Sequence, residues 1–530
     1  MKKINPSSPS FEKLITNNNI YVDKTAYLYD LITSGGDYFF CSRPRRFGKT
    51  LTINTLEAIF KGKRELFKGL AIDSTDYDWK EYPVIHIDFG LCAAKTADEL
   101  AKWLNTVMGD IAEEYSLNIS LSSPYYVTLN NLIKALSVKA PVVILVDEYD
   151  KILSSNIYNP EVEKMREVIR GFFEVIKASY DYVRFVFITG VTIYAKVSIF
   201  SSMNNLNDIS MSKRFACMFG YTQEELETYF ADYIAEGVQA TGMDRALYLA
   251  KLKQQYDGYR FAPNSETIYN PVSIGLFFSS GAKSFQNYWV DTGNMKLLMD
   301  VAKKVNFNIA ETLDSPLSRF DLSNFDIVNM SKANISAGQL KALLLQAGYL
   351  TITKAEDDEQ TLYLDYPNTE VRSGFVSNVV NIYTGTDSNI NCMPSQLLSA
   401  FRAGDTEKAI TIIKSIYASV PYNLETASSE ANYHAMFHCM MKAVGADLNS
   451  EVATNMGRID SVLKLADHIY VVEFKKDESV TKAMNQIKKK NYMQQYAAWK
   501  QENPNRMIHL VGISFSSQDK NISKWKEIIL

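Results

Sequence analysis

The sequence predicts an α/β protein in three parts: a parallel sheet between helices, a helical middle region with a small wing, and a second α/β region at the C-terminus. Three observations predict it. Short, wholly apolar runs alternate with helical patterns between residues 38 and 189. A Leu- and Ala-rich helical stretch near residue 340 leads into two β-type segments around a polar turn. A hairpin pattern at residues 457–475 is followed by a basic helix and a further apolar run. A length of 530 residues suits about three domains, drawn here at 1–210, 211–387 and 388–530.

The first part rests on four runs. Residues 38–41, 84–89, 142–146 and 183–188 are almost continuously apolar, and helical patterns separate them. Strands buried on both faces read this way, because helices cover each side of a parallel sheet. After about Met211 helices dominate. The helix near Leu340 and the segments 349–353 and 361–366 outline a winged helix. A lid or dimer surface suits this wing better than DNA binding, because its tip, Glu356-Asp357-Asp358-Glu359, would repel phosphates. A polar, loop-like stretch at 388–395 marks the last boundary. Beyond it come helices, the hairpin, a basic helix over 482–490 and an apolar strand over 507–513.

Composition narrows the function classes. Hydrophobic residues make up 46% and charged residues 22%, an ordinary globular balance. With a net charge of −4, no bulk basic field draws in nucleic acid, so polyanion contacts must come from local clusters. Five scattered cysteines without a CxxC argue for a reducing compartment and against a zinc ribbon or disulfide framework. No apolar h-region follows the first lysines, and no apolar stretch reaches membrane-spanning length. The expectation is a cytoplasmic protein with no membrane partner.

Arg43-Pro44-Arg45-Arg46-Phe47-Gly48-Lys49-Thr50 stands between a buried strand and a helix, where a phosphate-binding loop belongs. The usual first glycine is replaced by Arg43. Arg45, Arg46 and Phe47 are expected to line the nucleotide with Gly48, which lets the backbone approach phosphate. Lys49 would reach the β- and γ-oxygens, the Thr50 hydroxyl would ligate magnesium, and the helix N-terminus adds its dipole. The third strand runs into Asp147-Glu148: Asp147 to orient the magnesium shell, Glu148 to polarise the attacking water. Thr189, ending the fourth strand, is placed to sense the γ-phosphate.

The C-terminal hairpin allows a register count. If Ala466-Asp467 is a two-residue turn, Leu465 faces His468, and counting back sets Asp460 opposite Glu473. Facing residues of an antiparallel pair share one side of the sheet, and Lys475, two beyond Glu473, shares it too. Asp460 and Glu473 would bind magnesium, or manganese in its place, and Lys475 would orient a nucleophilic water or stabilise the phosphorane. Lys482, Gln486 and Lys490 line one face of the next helix, a phosphate-facing surface or simply a solvated one. Glu430 is a candidate further carboxylate. His434 and His438 lack the metalloprotease glutamate between them and read as core rather than zinc ligands.

Taken in order, Tyr21-Val22-Asp23-Lys24-Thr25, the loop at Arg43 to Thr50, Val146-Asp147-Glu148-Tyr149-Asp150 and Thr189-Gly190-Val191 resemble the AAA-ATPase-like family of bacteria. Many of its members end in a PD-(D/E)XK nuclease domain. Phe219-Gly220-Tyr221-Thr222, Tyr256-Asp257-Gly258-Tyr259 and Tyr269-Asn270-Pro271 resemble its middle region, and Gly457-Arg458-Ile459-Asp460 with Glu473-Phe474-Lys475 its nuclease core. The resemblance spans nearly the whole chain. It implies a P-loop NTPase domain, a helical and winged-helix-like middle, and a restriction-endonuclease-like α/β domain. It also implies that Arg43 is a family feature and that Tyr21 to Thr25 contact the base or ribose. Thr192-Ile193-Tyr194 departs from the expected pattern, which leaves an arginine finger unassigned. The expected function is an ATPase (Walker A and Walker B type, with ATP and magnesium) joined to a metal-dependent nuclease acting on nucleic acid, DNA foremost. The alternative is a nucleotide-dependent switch or interaction protein with a catalytically inactive nuclease-like domain. A P-loop kinase would need an acceptor site that the sequence does not offer. A homo-oligomer is left open.

Overall fold

A computed structural model describes residues 1–6, 8–192, 199–200, 203–289, 316–323, 336–375, 393–418, 437–438, 441, 447–454 and 457–530. The chain divides into two compact units. Met1–Trp289 and Leu317–Asn368 form one, and the other is made mainly of Thr369–Leu530.

The first unit carries the expected parallel sheet. Its strands are β1 (Tyr38–Ser42), β2 (Val84–Asp88), β3 (Val142–Asp147), β4 (Val183–Gly190) and the two-residue β5 (Asn207–Asp208). They lie in the order β2-β3-β4-β1-β5, every pair parallel. All six residues of β3 are buried, which explains its unbroken apolar run. The helix Lys49–Phe60 packs on β2, β3 and β4, and Tyr125–Ser137 packs on β3. The carboxyl ends of β1, β3 and β4 deliver the Arg43 loop, Asp147-Glu148 and Thr189-Gly190 to one edge of the sheet, where parallel α/β sheets bind ligands.

A buried arginine joins this edge to the middle region. Arg43 is only 2% exposed. Its guanidinium donates to Ser42 O (2.8 Å), Ser210 O (2.7 Å) and Phe215 O (3.3 Å). It lies over the rings of Phe219 and Phe261, at 5.3 and 4.3 Å. Phe47 turns into the same layer, edge-on to Tyr259 and Phe261. Beyond it, Leu226, Phe230, Ile234, Tyr248, Tyr256 and Phe277 build a helical core.

The wing has three strands rather than two. The helix Ala337–Ala347 precedes β7 (Thr351–Glu356) and β8 (Thr361–Asp365), and the short β6 (Leu317–Ser318) pairs with β8. Its acidic tip does not simply face water: Glu359 pairs with Arg319 (3.1 Å) and Lys213 (3.6 Å).

The second unit holds a five-stranded mixed sheet of β9 (Asp447–Thr454), β10 (Gly457–Lys464), β11 (His468–Lys476), β12 (Met507–Ser516) and β13 (Asn521–Ile529). The order is β13-β12-β11-β10-β9; β11 and β12 are parallel and the other pairs antiparallel. The helix Val480–Lys489 makes the β11–β12 crossover and buries Ala483, Met484 and Ile487. Met484 and Ile487 join Ile459, Val462, Ile469, Val471, Ile508 and Leu510 in one core. Leu465 N donates to His468 O (2.8 Å) and the ladder ends at Ser461–Val472, on the register of the count; Asp460 and Glu473 are the next residues past that last pair. Strands β9 and β13 were not anticipated. Both are edges, and their polar sequences lack an apolar run. No helix among the described residues is long and apolar enough to cross a membrane.

Replacing Arg43 with alanine strands buried carbonyls at Ser210 and Phe215 and empties the space between two aromatic rings. We expect a loss of about 3 kcal/mol from the first unit, read as a lower urea midpoint of its unfolding transition. An unchanged midpoint would remove Arg43 from this structural role.

Candidate functional site

The N-terminal site is built from a loop and two strand ends. Gly48 adopts φ +86°, a left-handed conformation that favours glycine, and an added Cβ there would meet nothing within 4 Å. The glycine is therefore set by backbone conformation and not by crowding. Lys49 opens the helix and is buried. Its ammonium donates to Arg43 O (2.9 Å) and Pro44 O (3.0 Å), which closes the loop and uses two of its three donors. Burial lowers its proton affinity, while Asp147 and Glu148 pull it back up. Thr50 is half-buried in the first turn, and its carbonyl accepts from Asn54 Nδ2 (2.8 Å). Arg45 and Arg46 are half-buried in the loop, and Arg46 is left-handed at φ +70°. The Phe47 side chain is spent on packing, so only its backbone remains for a ligand.

Asp147 is fully buried. Its Oδ1 accepts from Glu148 N (2.9 Å) and from Thr189 Oγ1. The Thr189 hydroxyl is thus engaged by the carboxylate next to it. Oδ2 of Asp147 is buried without a hydrogen-bond partner. An orphaned carboxylate oxygen beside a lysine is costly unless a cation or water meets it, so the donor set fits a divalent ion. Glu148 is half-buried, at φ +48°, and burial raises its carboxyl above the usual range.

Sequence reasoning passed over Asp88. It ends β2 in register with Asp147. A Cβ on Gly90 would lie 2.7 Å from Asp88 Oδ1 and 3.0 Å from Glu148 Oε2, so both acids crowd one glycine. Burial and Asp147 raise the Asp88 carboxyl. The available signal was that β2, like β3, is an apolar run ending in an acid. Asp150 was also overlooked; it accepts from Val191 N, Thr192 N and Thr192 Oγ1 and so fixes the chain after β4. Within Tyr21 to Thr25, Asp23 accepts from Thr25 N (2.8 Å) and Ala71 N (2.7 Å), and Lys24 pairs with Glu225 (2.6 Å), so both side chains are bonded inside the protein.

In the second unit, Asp460 Oδ2 accepts from Phe474 N (2.7 Å), which ties it to the strand bearing Glu473. Glu473 is fully buried. Lys475 Nζ donates to Glu473 Oε1 (3.0 Å) and to Phe474 O (2.8 Å). Glu473 Oε2 is buried with no hydrogen-bond partner. Burial, reinforced by Asp460, pushes the Glu473 carboxyl up to about 7, and Lys475 and Lys490 oppose the shift. A buried acid with one orphaned oxygen beside a second carboxylate fits a divalent cation. Among the described residues no group of three or more His, Cys, Asp or Glu gathers as a metal cluster. Tyr492 donates its hydroxyl to Arg458 O and accepts from Gln486 Nε2 (3.5 Å). Glu430, His434, Ile193 and Tyr194 lie outside the described residues, and His438 is buried.

Residues 7–200 match the family model described as a predicted AAA-ATPase. Residues 428–525 match that of the PD-(D/E)XK nuclease superfamily. The chain is 32% identical over 545 residues to a protein of Azotobacter chroococcum mcd 1 named "Uncharacterized protein in vnfD 5'region", with 98% of each chain covered.

The raised Glu473 carboxyl gives a signed expectation. Its folded value of about 7 exceeds the ordinary 4.5, so folding favours its neutral form. Its stabilising contribution is full below pH 4.5 and is lost as pH rises through about 7. In EDTA, the urea midpoint of the second unit should fall from mildly acidic to mildly basic pH, and Glu473→Gln should flatten that fall. Parallel profiles for the two proteins would overturn the expectation.

Proposed function

Because the chain belongs to the family that joins a predicted AAA-ATPase domain to a PD-(D/E)XK nuclease superfamily domain, we propose that it hydrolyses ATP at the Lys49 site and cleaves nucleic acid, DNA foremost, at the Glu473 site. The observation that carries this reading is a pairing seen twice. Asp147 Oδ2 and Glu473 Oε2 are buried and unpartnered, each with a lysine ammonium close by. In this reading the domains run 1–210, 211–387 and 388–530, in a cytoplasmic protein.

At the N-terminal site, Gly48 and the helix N-terminus present backbone N–H groups to the phosphates. Lys49, whose third donor is left after closing the loop, neutralises the β- and γ-oxygens. Arg45 and Arg46 add charge at the loop's tip. Thr50 and Asp147 would hold magnesium. Glu148 takes the proton of the attacking water, and burial, with Asp147 nearby, keeps its carboxyl basic enough to do so. At the C-terminal site, Asp460 and Glu473 would hold magnesium or manganese, and Lys475 orients the nucleophile. A bound divalent ion supplies charge neutralisation and a more acidic water at each site.

Charge supports a polyanionic substrate. Residues 458–530 carry thirteen Lys and Arg against eight Asp and Glu, in a chain of net charge −4. The basic excess is local to residues 458–530, the segment that bears Glu473.

Lys475→Ala should reduce cleavage of labelled DNA by about 100-fold or more while ATP hydrolysis stays near wild type. Lys49→Ala should do the reverse to ATP hydrolysis. Cleavage that survives in purified Lys475→Ala sinks the nuclease assignment. A wild-type protein that binds ATP yet cuts no DNA or RNA form with Mg²⁺ or Mn²⁺ is the switch with an inert C-terminal domain.

A further inference from the structure

We propose that Lys490 binds a backbone phosphate of the nucleic-acid substrate beside the Asp460–Glu473 pair, held there by the ring of Tyr492. The proposal rests on the nuclease reading above and assigns a substrate contact that the Asp460, Glu473 and Lys475 set does not provide.

The need for a second cation follows from how Lys475 is spent. Two of its three donors go to Glu473 Oε1 and Phe474 O, so its charge is committed to the carboxylate that would face the metal. A phosphodiester brings its own negative charge and gains more as it is attacked. The metal would meet the charge at the attacked phosphorus, and a backbone phosphate beside it calls for a cation of its own.

Lys490 meets three conditions for that role. It sits at the C-terminal end of the helix Val480–Lys489 and is half-buried. Its ammonium lies 5.9 Å from the Tyr492 ring centroid. That ring is buried and fixed, because the Tyr492 hydroxyl donates to Arg458 O, two residues before Asp460 on β10. The cation is thus indexed to the strand that carries one of the carboxylates. Finally, Lys490 makes no ion pair among the described residues, whereas Lys482 on the same helix is paired with Glu478 at 2.7 Å. A cation over an aromatic face keeps its charge available to an incoming anion, which a carboxylate partner would cancel.

A plainer role exists: a lysine at a helix C-terminus stabilises the helix dipole. That role moves stability and leaves substrate affinity alone. A phosphate contact moves KM and the salt dependence and leaves metal binding and kcat nearly unchanged.

The test uses the full-length protein as wild type, Lys490→Met, Lys490→Arg and Lys475→Ala. Labelled single- and double-stranded DNA are cleaved in Mg²⁺ over a series of KCl concentrations. Lys490→Met should raise KM about tenfold with kcat nearly kept, and the slope of log(kcat/KM) against log[KCl] should become shallower by about one phosphate contact. Lys490→Arg should recover most of the loss, and the urea midpoint and Mg²⁺ affinity should match wild type. A wild-type KM and salt slope in Lys490→Met overturns the proposal. So does a loss that tracks a lowered unfolding midpoint and is not recovered by arginine. If wild type fails to cut either DNA, the nuclease reading fails separately. Lys490 is then judged by anisotropy with the same oligonucleotides, where an unchanged affinity and salt slope for Lys490→Met rejects it.

Discussion

The N-terminal site hangs from the buried guanidinium of Arg43. Taking a permanent charge out of water is costly by several kcal/mol unless dipoles or counter-charges replace the lost solvation. Here three backbone carbonyls and two aromatic faces do so. Those carbonyls belong to the end of β1 and to the segment around Ser210 and Phe215, and the rings come from Phe219 and Phe261. One side chain therefore fixes where the sheet ends, where the middle region begins, and how the loop between Arg43 and Gly48 starts. Lys49 then closes that loop onto the carbonyls of Arg43 and Pro44. A glycine at position 43 would allow a loop of similar path but would leave these acceptors and rings with nothing to hold.

Much of the architecture was legible for a simple reason. Strands β1 to β4 are mostly buried, so their sequences are apolar apart from His86 and Arg184 and the residues at the strand ends. The β10–β11 register was legible because a two-residue turn leaves one way to count and side chains alternate with period two. The edges were not. In β13 only Ile522 is fully buried, and lysines at 524 and 526 alternate with Trp525, so no burial pattern stands out from loop sequence. In β9 Leu448 and Val452 are separated by polar residues, so no apolar run forms. Edge strands carry charge to resist pairing with other chains, and the same charge hides them from hydrophobic pattern reading.

The side-chain chemistry followed the same divide. Lys49, Asp147, Asp460, Glu473 and Lys475 stood out because residue type and spacing coincide with strand ends or facing rungs. Asp88 did not, since one acid after an apolar run is common until its neighbour across the sheet is known to be Asp147. Arg43 was read as a substituted loop position, because nothing local tells a buried arginine from an exposed one. The acidic wing tip was read as a surface that repels phosphates, and its Glu359 finds Arg319 forty residues back and Lys213 farther still. Partners distant in sequence are what a single chain reading cannot supply.

The two lysines show why geometry matters more than charge count. Lys49 donates to two carbonyls and Lys475 to one carbonyl and one carboxylate. Each ammonium is held in place by the protein itself, so in the proposed reading little reorganisation would remain to be made during reaction. The difference lies in the partners. Carbonyls hold Lys49 in place, and Asp147 and Glu148 offset part of its charge. Glu473 neutralises part of the field of Lys475, which suits a lysine that orients a water but weakens it as an anchor for substrate. In the proposed reading Lys490 supplies that anchor, and the ring of Tyr492, 5.9 Å from its ammonium, keeps it near β10 without neutralising it.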